Sequence, residues 1–257
     1  MAQITVDSVS KVFATSRRRT VALNETSLDI DHCETVCVVG PSGCGKTTVL
    51  NLIAGFIRPT TGSISLDGSE VQGPAADRAV VFQADAVFPW LTVADNVAFG
   101  PRMQGTPRAE RAERIERFLE LVGLSEFAKS YPKELSGGMR KRVDLARAYA
   151  SGPDVLLLDE PFGALDLFTK ESMWTALRRV AEVEPKTIVF VTHDIEEALF
   201  LGDRVIVMTP RPAKVHSVIE VPFGADRDLD LRADPDFQRL RIDIAHSLRE
   251  VHDDTAR

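Results

Sequence analysis

Cysteine is scarce in this chain. Cys33, Cys37 and Cys44 are the three among 257 residues, an odd number with no metal-ligand spacing. That excludes a disulfide framework and a cysteine zinc site and points to a reducing compartment. Long apolar runs are missing too: none approaches the roughly 18 residues of a membrane span. The opening Met1-Ala2-Gln3-Ile4-Thr5 has no leader pattern, so the chain is expected in the cytosol, with any membrane role supplied by a partner. Positive charge is short as well. A formal net charge of −7 argues against the basic face that nucleic-acid binding needs. The local cluster Arg17-Arg18-Arg19 reads as a solvated hairpin loop. No internal repeat and no low-complexity stretch is visible. What remains, 44% hydrophobic and 27% charged residues, is the composition of one large soluble domain or of a domain carrying inserted subdomains.

The stretch around which this chain is organised is Gly40-Pro41-Ser42-Gly43-Cys44-Gly45-Lys46-Thr47-Thr48. It matches G-x-x-x-x-G-K-[ST] without a mismatch. The apolar run Thr35–Val39 before it reads as a buried strand, and Val49–Ala54 after it reads as a helix closed by Gly55. Glycines at these positions let backbone N–H groups close around a polyphosphate. The helix start adds partial positive charge, Lys46 adds a full one, and the Thr47 hydroxyl is placed to hold Mg²⁺. The stretch predicts a nucleoside-triphosphate site.

Residues 3–31 alternate apolar and polar, the period of half-exposed antiparallel strands. Within them Phe13 either stacks on a base or belongs to the core. Thr60–Gly68 reads as turn, strand and turn, and Ala79–Phe82 as a buried strand ending at Gln83, which by itself carries no chemistry. From Asp85 to Ala150 the pattern becomes helical. Pro107 opens a segment whose Ile115, Phe118, Leu119 and Val122 form one stripe, ended by Gly123. Val87–Leu91 fits a surface that receives another protein's helix and fits a satellite core equally well. Ser136 is an N-cap for the helix Arg140–Ala148, with Gly137 and Gly138 leaving its start bare, so an anion site and an ordinary cap both fit.

Val155–Leu158 predicts a central parallel strand running into Asp159 and Glu160. Behind a phosphate loop, such a pair can divide its work: Asp159 toward Mg²⁺, Glu160 toward a water at the terminal phosphate. Thr187–Thr192 is another buried strand, ending at His193, and Asp194 caps the helix that follows and is closed by Gly202. His193 therefore emerges where ligands bind in open α/β sheets. Val205–Met208 adds a strand. Asp234-Pro235 then opens a helix whose Phe237, Leu240, Ile244, Leu248 and Val251 repeat at helical spacing.

Together these residues resemble the ATP-hydrolysing subunit of an ABC transporter over essentially the whole chain. Gly40–Thr48 is similar to the Walker A loop, Gln83 to the Q-loop glutamine, and Leu135-Ser136-Gly137-Gly138-Met139 to the family signature. Val155–Glu160 is similar to the Walker B strand with its glutamate, Ala164-Leu165-Asp166 to the D-loop, His193 to the switch histidine, and Phe13 to the adenine-stacking aromatic. Val81-Phe82-Gln83, Phe88–Val93, Asp95-Asn96-Val97 and the tail from Arg211-Pro212 to Arg241 resemble the nitrate, sulfonate and taurine importer branch. Three positions depart from the usual pattern: Cys33 for glycine, Lys141 for glutamine and Tyr149 for a small aliphatic residue. They are expected to bear on fine tuning alone, Cys33 through strain if its φ is positive.

The resemblance implies an α/β P-loop NTPase fold with a RecA-like core, an antiparallel β subdomain and an inserted helical subdomain. It divides the chain into a core of about 1–83 and 151–215, helices over about 84–150, and a C-terminal extension over about 216–257. It further implies ATP and Mg²⁺ as cofactors and a head-to-tail homodimer in which Ser136, Gly137, Gly138 and Asp166 close over the partner's ATP. Lys46 and the loop amides would hold phosphate, Thr47, Gln83 and Asp159 would hold Mg²⁺, Glu160 would orient water, and His193 would contact the terminal phosphate. Membrane permease subunits would dock near Gln83–Trp90, a separate solute-binding protein would supply the cargo, and the chain would sit peripherally on the cytoplasmic face of the membrane. A soluble ABC-type ATPase acting on nucleic acid or ribosomes lacks its usual basic face or second cassette here. A nucleotide-dependent kinase leaves the signature stretch and His193 without a role.

Overall fold

A computed structural model describes residues 3–15, 18–224 and 226–253. Met1, Ala2 and Arg17, named above for a leader and an arginine loop, lie outside the described residues, as do the last four positions of the C-terminal extension. In chain order the strands and helices begin with β1 (Ile4–Ala14), β2 (Arg19–Ile30), β3 (Thr35–Val39), α1 (Lys46–Ile53), β4 (Thr61–Leu66), β5 (Ser69–Glu70) and β6 (Arg78–Val81). They continue with α2 (Val93–Met103), α3 (Arg108–Leu121), α4 (Gly137–Ala150), β7 (Val155–Asp159) and α5 (Leu167–Val183). The series ends with β8 (Thr187–Val191), α6 (Ile195–Leu201), β9 (Arg204–Met208), β10 (Val215–Glu220) and α7 (Pro235–Asp253). The chain divides into two compact units, residues 1–75 with 186–257, and residues 76–185.

In the first unit β2, β1, β4 and β5 form an antiparallel sheet. Along β1 the buried side chains Ile4 and Val6 follow the two-residue period, which then slips so that the next is Val9. The slip is a register shift beside Ser8, whose φ is +49°, and the extra residue returns Val9 to the core face. In the other sheet of this unit β3 lies between β8 and β9, parallel to both, and β10 runs antiparallel along β9. Being covered on every side explains why Val36–Val39 form an unbroken apolar run. In α7, Phe237, Ile244 and Val251 are buried seven residues apart, and the Asp234 carboxylate caps the helix by accepting the Asp236 N–H at 2.7 Å. Arg227 is buried, and its guanidinium donates to the carbonyls of Leu199, Phe200 and Gly202 at the end of α6 and to those of Phe223 and Gly224. Those are carbonyls that a helix end otherwise leaves without partners.

Cys33 has a φ of +60°, the left-handed conformation that costs a side-chain-bearing residue roughly 1–2 kcal/mol. Its N–H donates to the Thr187 hydroxyl at 3.1 Å, which helps hold the turn.

In the second unit β6 and β7 pair in parallel. The strand expected at Ala79–Phe82 is displaced by one residue to Arg78–Val81 and is half-buried apart from Val81, while Phe82 is 41% exposed. The ladder with β7 ends at the Val81–Leu158 pair, and beyond it the Phe82 carbonyl accepts a hydrogen bond from the Lys141 side chain at 3.0 Å. Helix α4 begins at Gly137, earlier than the expected Arg140, because the Ser136 hydroxyl accepts the Met139 N–H and makes Gly137 and Gly138 the first helical residues. Helix α5 has no counterpart among the sequence expectations. Its buried face is Met173, Trp174, Leu177 and Val180, a helical stripe begun by the Asp166 cap. Within the segment Val87–Leu91 one aromatic packs inward and another faces outward. Phe88 packs on Phe99 with centroids 4.5 Å apart, and Trp90 is 71% exposed. Asn96, fully buried, fastens this segment by accepting the Phe88 N–H at 2.7 Å and donating to the Phe88, Leu91 and Thr92 carbonyls.

Candidate nucleotide site

In the first unit the parallel register pairs Val38 with Val191 and Val39 with Val207. The chain therefore leaves β3 into residues 40–45, β8 toward His193 and β9 toward Arg211 at one sheet edge. The loop turns through Gly43 (φ +72°) and Gly45 (φ +129°). A side chain at Gly40 would place its Cβ 3.0 Å from both Cys44 Sγ and the Met208 carbonyl oxygen. Gly45 is the N-cap of α1, no side chain caps this helix start, and no acidic residue lies in its first turn. Its partial positive charge is left for an anion.

Lys46 is buried, and its Nζ donates to the Gly40 carbonyl at 2.8 Å and the Pro41 carbonyl at 3.2 Å. The ammonium is thereby folded over the loop. Ser42 and Thr47 are exposed, and Thr48 is half-buried. Burial pushes the Cys44 thiol above its ordinary pKa, with Lys46 pulling the other way, so this cysteine is a packed neutral group. Arg211 donates to the Gly43 carbonyl from Nε at 3.1 Å and Nη2 at 2.6 Å. Nothing in the sequence signals this brace, since the partner is a backbone atom far along the chain.

Phe13 lies 43% exposed near the end of β1, with Lys11 Nζ 5.2 Å from its ring centroid. That leaves an open aromatic face. His193 is exposed and stands between two fastened neighbours. The Thr192 hydroxyl donates to the buried Glu197 carboxylate and accepts the Asp194 N–H at 3.0 Å. Asp194 in turn caps α6, accepting the Glu196 and Glu197 N–H groups.

In the second unit the pairing of Val81 with Leu158 brings the exits of β6 and β7 to a common edge. Gln83 stands there, exposed, with Asp159 and Glu160 half-buried. Glu160 has a φ of +44°, a conformation rare for this residue type and one the sequence does not announce. The starts of α4 and α5 meet each other: a Cβ at Gly138 would run into the Thr169 methyl. Asp166 accepts the Thr169 N–H at 3.1 Å and the Thr169 hydroxyl at 2.6 Å, and these hydrogen bonds hold its carboxyl below the usual range. Beside them, lined in part by Phe127, Ser136, Gly138 and Phe168, is an open cavity of about 410 Å³.

Phe13, Gly40–Thr48 and His193 thus belong to the first unit. Gln83, Ser136, Gly137, Gly138, Asp159, Glu160 and Asp166 belong to the second. Among the described residues no three His, Cys, Asp or Glu side chains gather as a metal site.

A buried parallel strand that turns through a lysine-bearing glycine loop into an uncapped helix defines the P-loop nucleoside triphosphatases, and the chain is of that class. Residues 23–163 match the ABC transporter family; the chain belongs to this family and is an ATP-binding ATPase. It is 45% identical over 237 residues to the taurine import ATP-binding protein TauB of Roseobacter denitrificans, covering 91% of this chain and 88% of that protein. It is 48% identical over 256 residues to TauB of Rhizobium johnstonii, covering 96% and 97%. Among solved structures, the dimeric structure of MJ0796, a bacterial ABC transporter cassette, superposes with a TM-score of 0.73 at 33% identity, over 86% of this chain and 100% of that one. A dimeric post-hydrolysis state of the same cassette, bound to ADP and Pi, gives a TM-score of 0.72 at 30% identity, again over 86% and 100%. No helix among the described residues is long and apolar enough to cross a membrane.

Proposed function

We propose that this chain energises the import of taurine or a related sulfonate or small anion by hydrolysing ATP on the cytoplasmic face of the membrane. The observation that carries the reading is the likeness to TauB of Rhizobium johnstonii over 96% of the chain. In this reading Lys46 and the amides of Gly40–Thr48 hold the phosphates, and Phe13 stacks on adenine. Thr47, Gln83 and Asp159 hold Mg²⁺, which when bound neutralises charge on the terminal phosphates. Glu160 orients the attacking water, and His193 contacts the terminal phosphate.

Two copies pack head to tail, so that Ser136, Gly137, Gly138 and Asp166 of each close over the nucleotide of the other. The dimeric cassettes among the solved relatives support this arrangement. Its functional divisions are a core of about 1–83 and 151–215, helices over about 84–150, and an extension over about 216–257. Permease subunits dock near Gln83–Trp90, where Trp90 offers an exposed indole, and a separate binding protein delivers the solute.

The test is the assembled complex in liposomes. Hydrolysis is expected to rise when the taurine-loaded binding protein is added, and Glu160→Gln is expected to bind Mg·ATP while turnover falls by about 10²–10³. A Glu160→Gln complex that turns over at the wild-type rate removes Glu160 from the mechanism. A complex indifferent to taurine that responds to nitrate or an alkanesulfonate reassigns the cargo.

A further inference from the structure

One face of α4 holds the segment that carries Gln83, and it does so with charge. Residues 140, 141, 144 and 147 share that face by helical spacing. Arg140 Nε donates to Asp85 Oδ2 at 2.7 Å. Asp144, buried, accepts the Ala86 N–H at 3.1 Å, while Arg147 donates to the Ala86 carbonyl and pairs with Asp144 at 2.7 Å. Lys141 is the most enclosed cation of the group, 4% exposed. Its Nζ donates to the carbonyls of Phe82 at 3.0 Å and Gln83 at 2.7 Å and lies 3.6 Å from Asp85 Oδ1.

An ammonium has three donors and no acceptor; two of them are taken by the carbonyls of Phe82 and Gln83, and the Asp85 carboxylate adds an ion pair beyond hydrogen-bond distance. Bonds from a cation to carbonyl oxygens are stronger than those from a neutral amide. Were residues 82–85 to leave α4, the ammonium would lose both carbonyls and the nearby carboxylate at once, which costs more than the loss of a neutral hydrogen bond. The backbone of Gln83 is therefore bound to the position of α4, the helix that Ser136 opens. Arg140 and Arg147 hold the flanking residues, whereas Lys141 alone of the four side chains bonds to Gln83 itself.

We infer that Lys141 is a positioning residue for Gln83, setting the placement of that side chain at the nucleotide through its main-chain carbonyl and tying it to the start of α4. The inference rests on the reading of Gln83 as a metal-site residue. Lys141 is buried against the main chain of Phe82 and Gln83, so its effect must pass through Gln83 and vanish when that side chain is absent.

The experiment measures the Mg²⁺ dependence of ATP binding by calorimetry, beside steady-state ATP hydrolysis titrated with Mg²⁺ at saturating ATP, and the Mg²⁺ midpoint is read from both. It is run on the full-length wild type, Lys141→Met, Lys141→Gln, Gln83→Ala and the Gln83→Ala/Lys141→Met double variant. Lys141→Met is expected to raise the half-saturating Mg²⁺ concentration about threefold or more and to lower kcat with little change in the KM for ATP. Lys141→Gln keeps one neutral donor and is expected to fall between Lys141→Met and wild type. In the Gln83→Ala background the lysine substitution is expected to add no further shift in the Mg²⁺ midpoint.

A wild-type Mg²⁺ midpoint in Lys141→Met, or an equal shift with and without Gln83, overturns the inference. If Lys141→Met does not fold, Lys141→Gln decides, and a wild-type midpoint there overturns it equally. A Gln83→Ala single variant with wild-type Mg²⁺ dependence defeats the Gln83 assignment itself and the inference with it. That failure is told apart because it shows without any change at Lys141.

Discussion

Residues 40–45, which run into Lys46 at the head of α1, and residues 82–86 each leave the end of a parallel strand without regular structure, and they are held in opposite ways. The first segment is shaped by glycine backbone and by its own Lys46, bonded to carbonyls six and five positions away. The second has no glycine. It is held by Lys141, Asp144 and Arg147, more than fifty positions along the chain. A loop of the first kind carries its conformation in its own composition. A loop of the second kind borrows it from a helix, and so must answer to that helix.

The contrast can be pushed from either side. Arg147→Met removes one member of a pair whose other member, Asp144, is 1% exposed, and burial already raises that carboxyl above its usual pKa against the pull of Arg147. Leaving it uncompensated is expected to cost about 3 kcal/mol, read by urea unfolding. A loss under about 0.5 kcal/mol would mean the charged face is dispensable. On the other side, Lys46→Ala is expected to weaken Mg·ATP binding by about 100-fold in calorimetry. Unchanged binding would remove Lys46 from the phosphate site. The smallest effect belongs to Arg211→Ala, which takes away two hydrogen bonds to Gly43 and leaves the loop its own geometry. A decrease in nucleotide affinity of about fivefold is expected, with the melting temperature nearly unchanged. A loss as large as that of Lys46→Ala would mean that this loop, too, is held from outside.

The same distinction separates what the sequence makes legible from what it hides. Strand β3 and the phosphate loop could be read because their rules are local: an apolar run, glycines at fixed offsets, a lysine, a helix. So could the Asp194 cap of α6 and the buried stripe of α7. The Lys141 contact was illegible because its acceptors are main-chain carbonyls, which carry no sequence identity. Arg211 was hidden for the same reason, and the left-handed backbone at Glu160 because no turn residue marks it. Helix α5 is a different case. Its cap at Asp166 and the spacing of Met173, Trp174, Leu177 and Val180 were present as a signal, obscured by charged residues between them.

The buried guanidinium of Arg227 bears on how the C-terminal segment can be probed. It is shared among five carbonyls, three of them at the end of the short helix that begins two residues after His193. Cutting the chain anywhere before residue 227 would uncork that helix from below, and any drop in turnover would then report a loosened histidine rather than a lost regulator. Charge-reversing changes on the outward side of α7, such as Arg239→Glu, leave the cork in place and are the cleaner instrument.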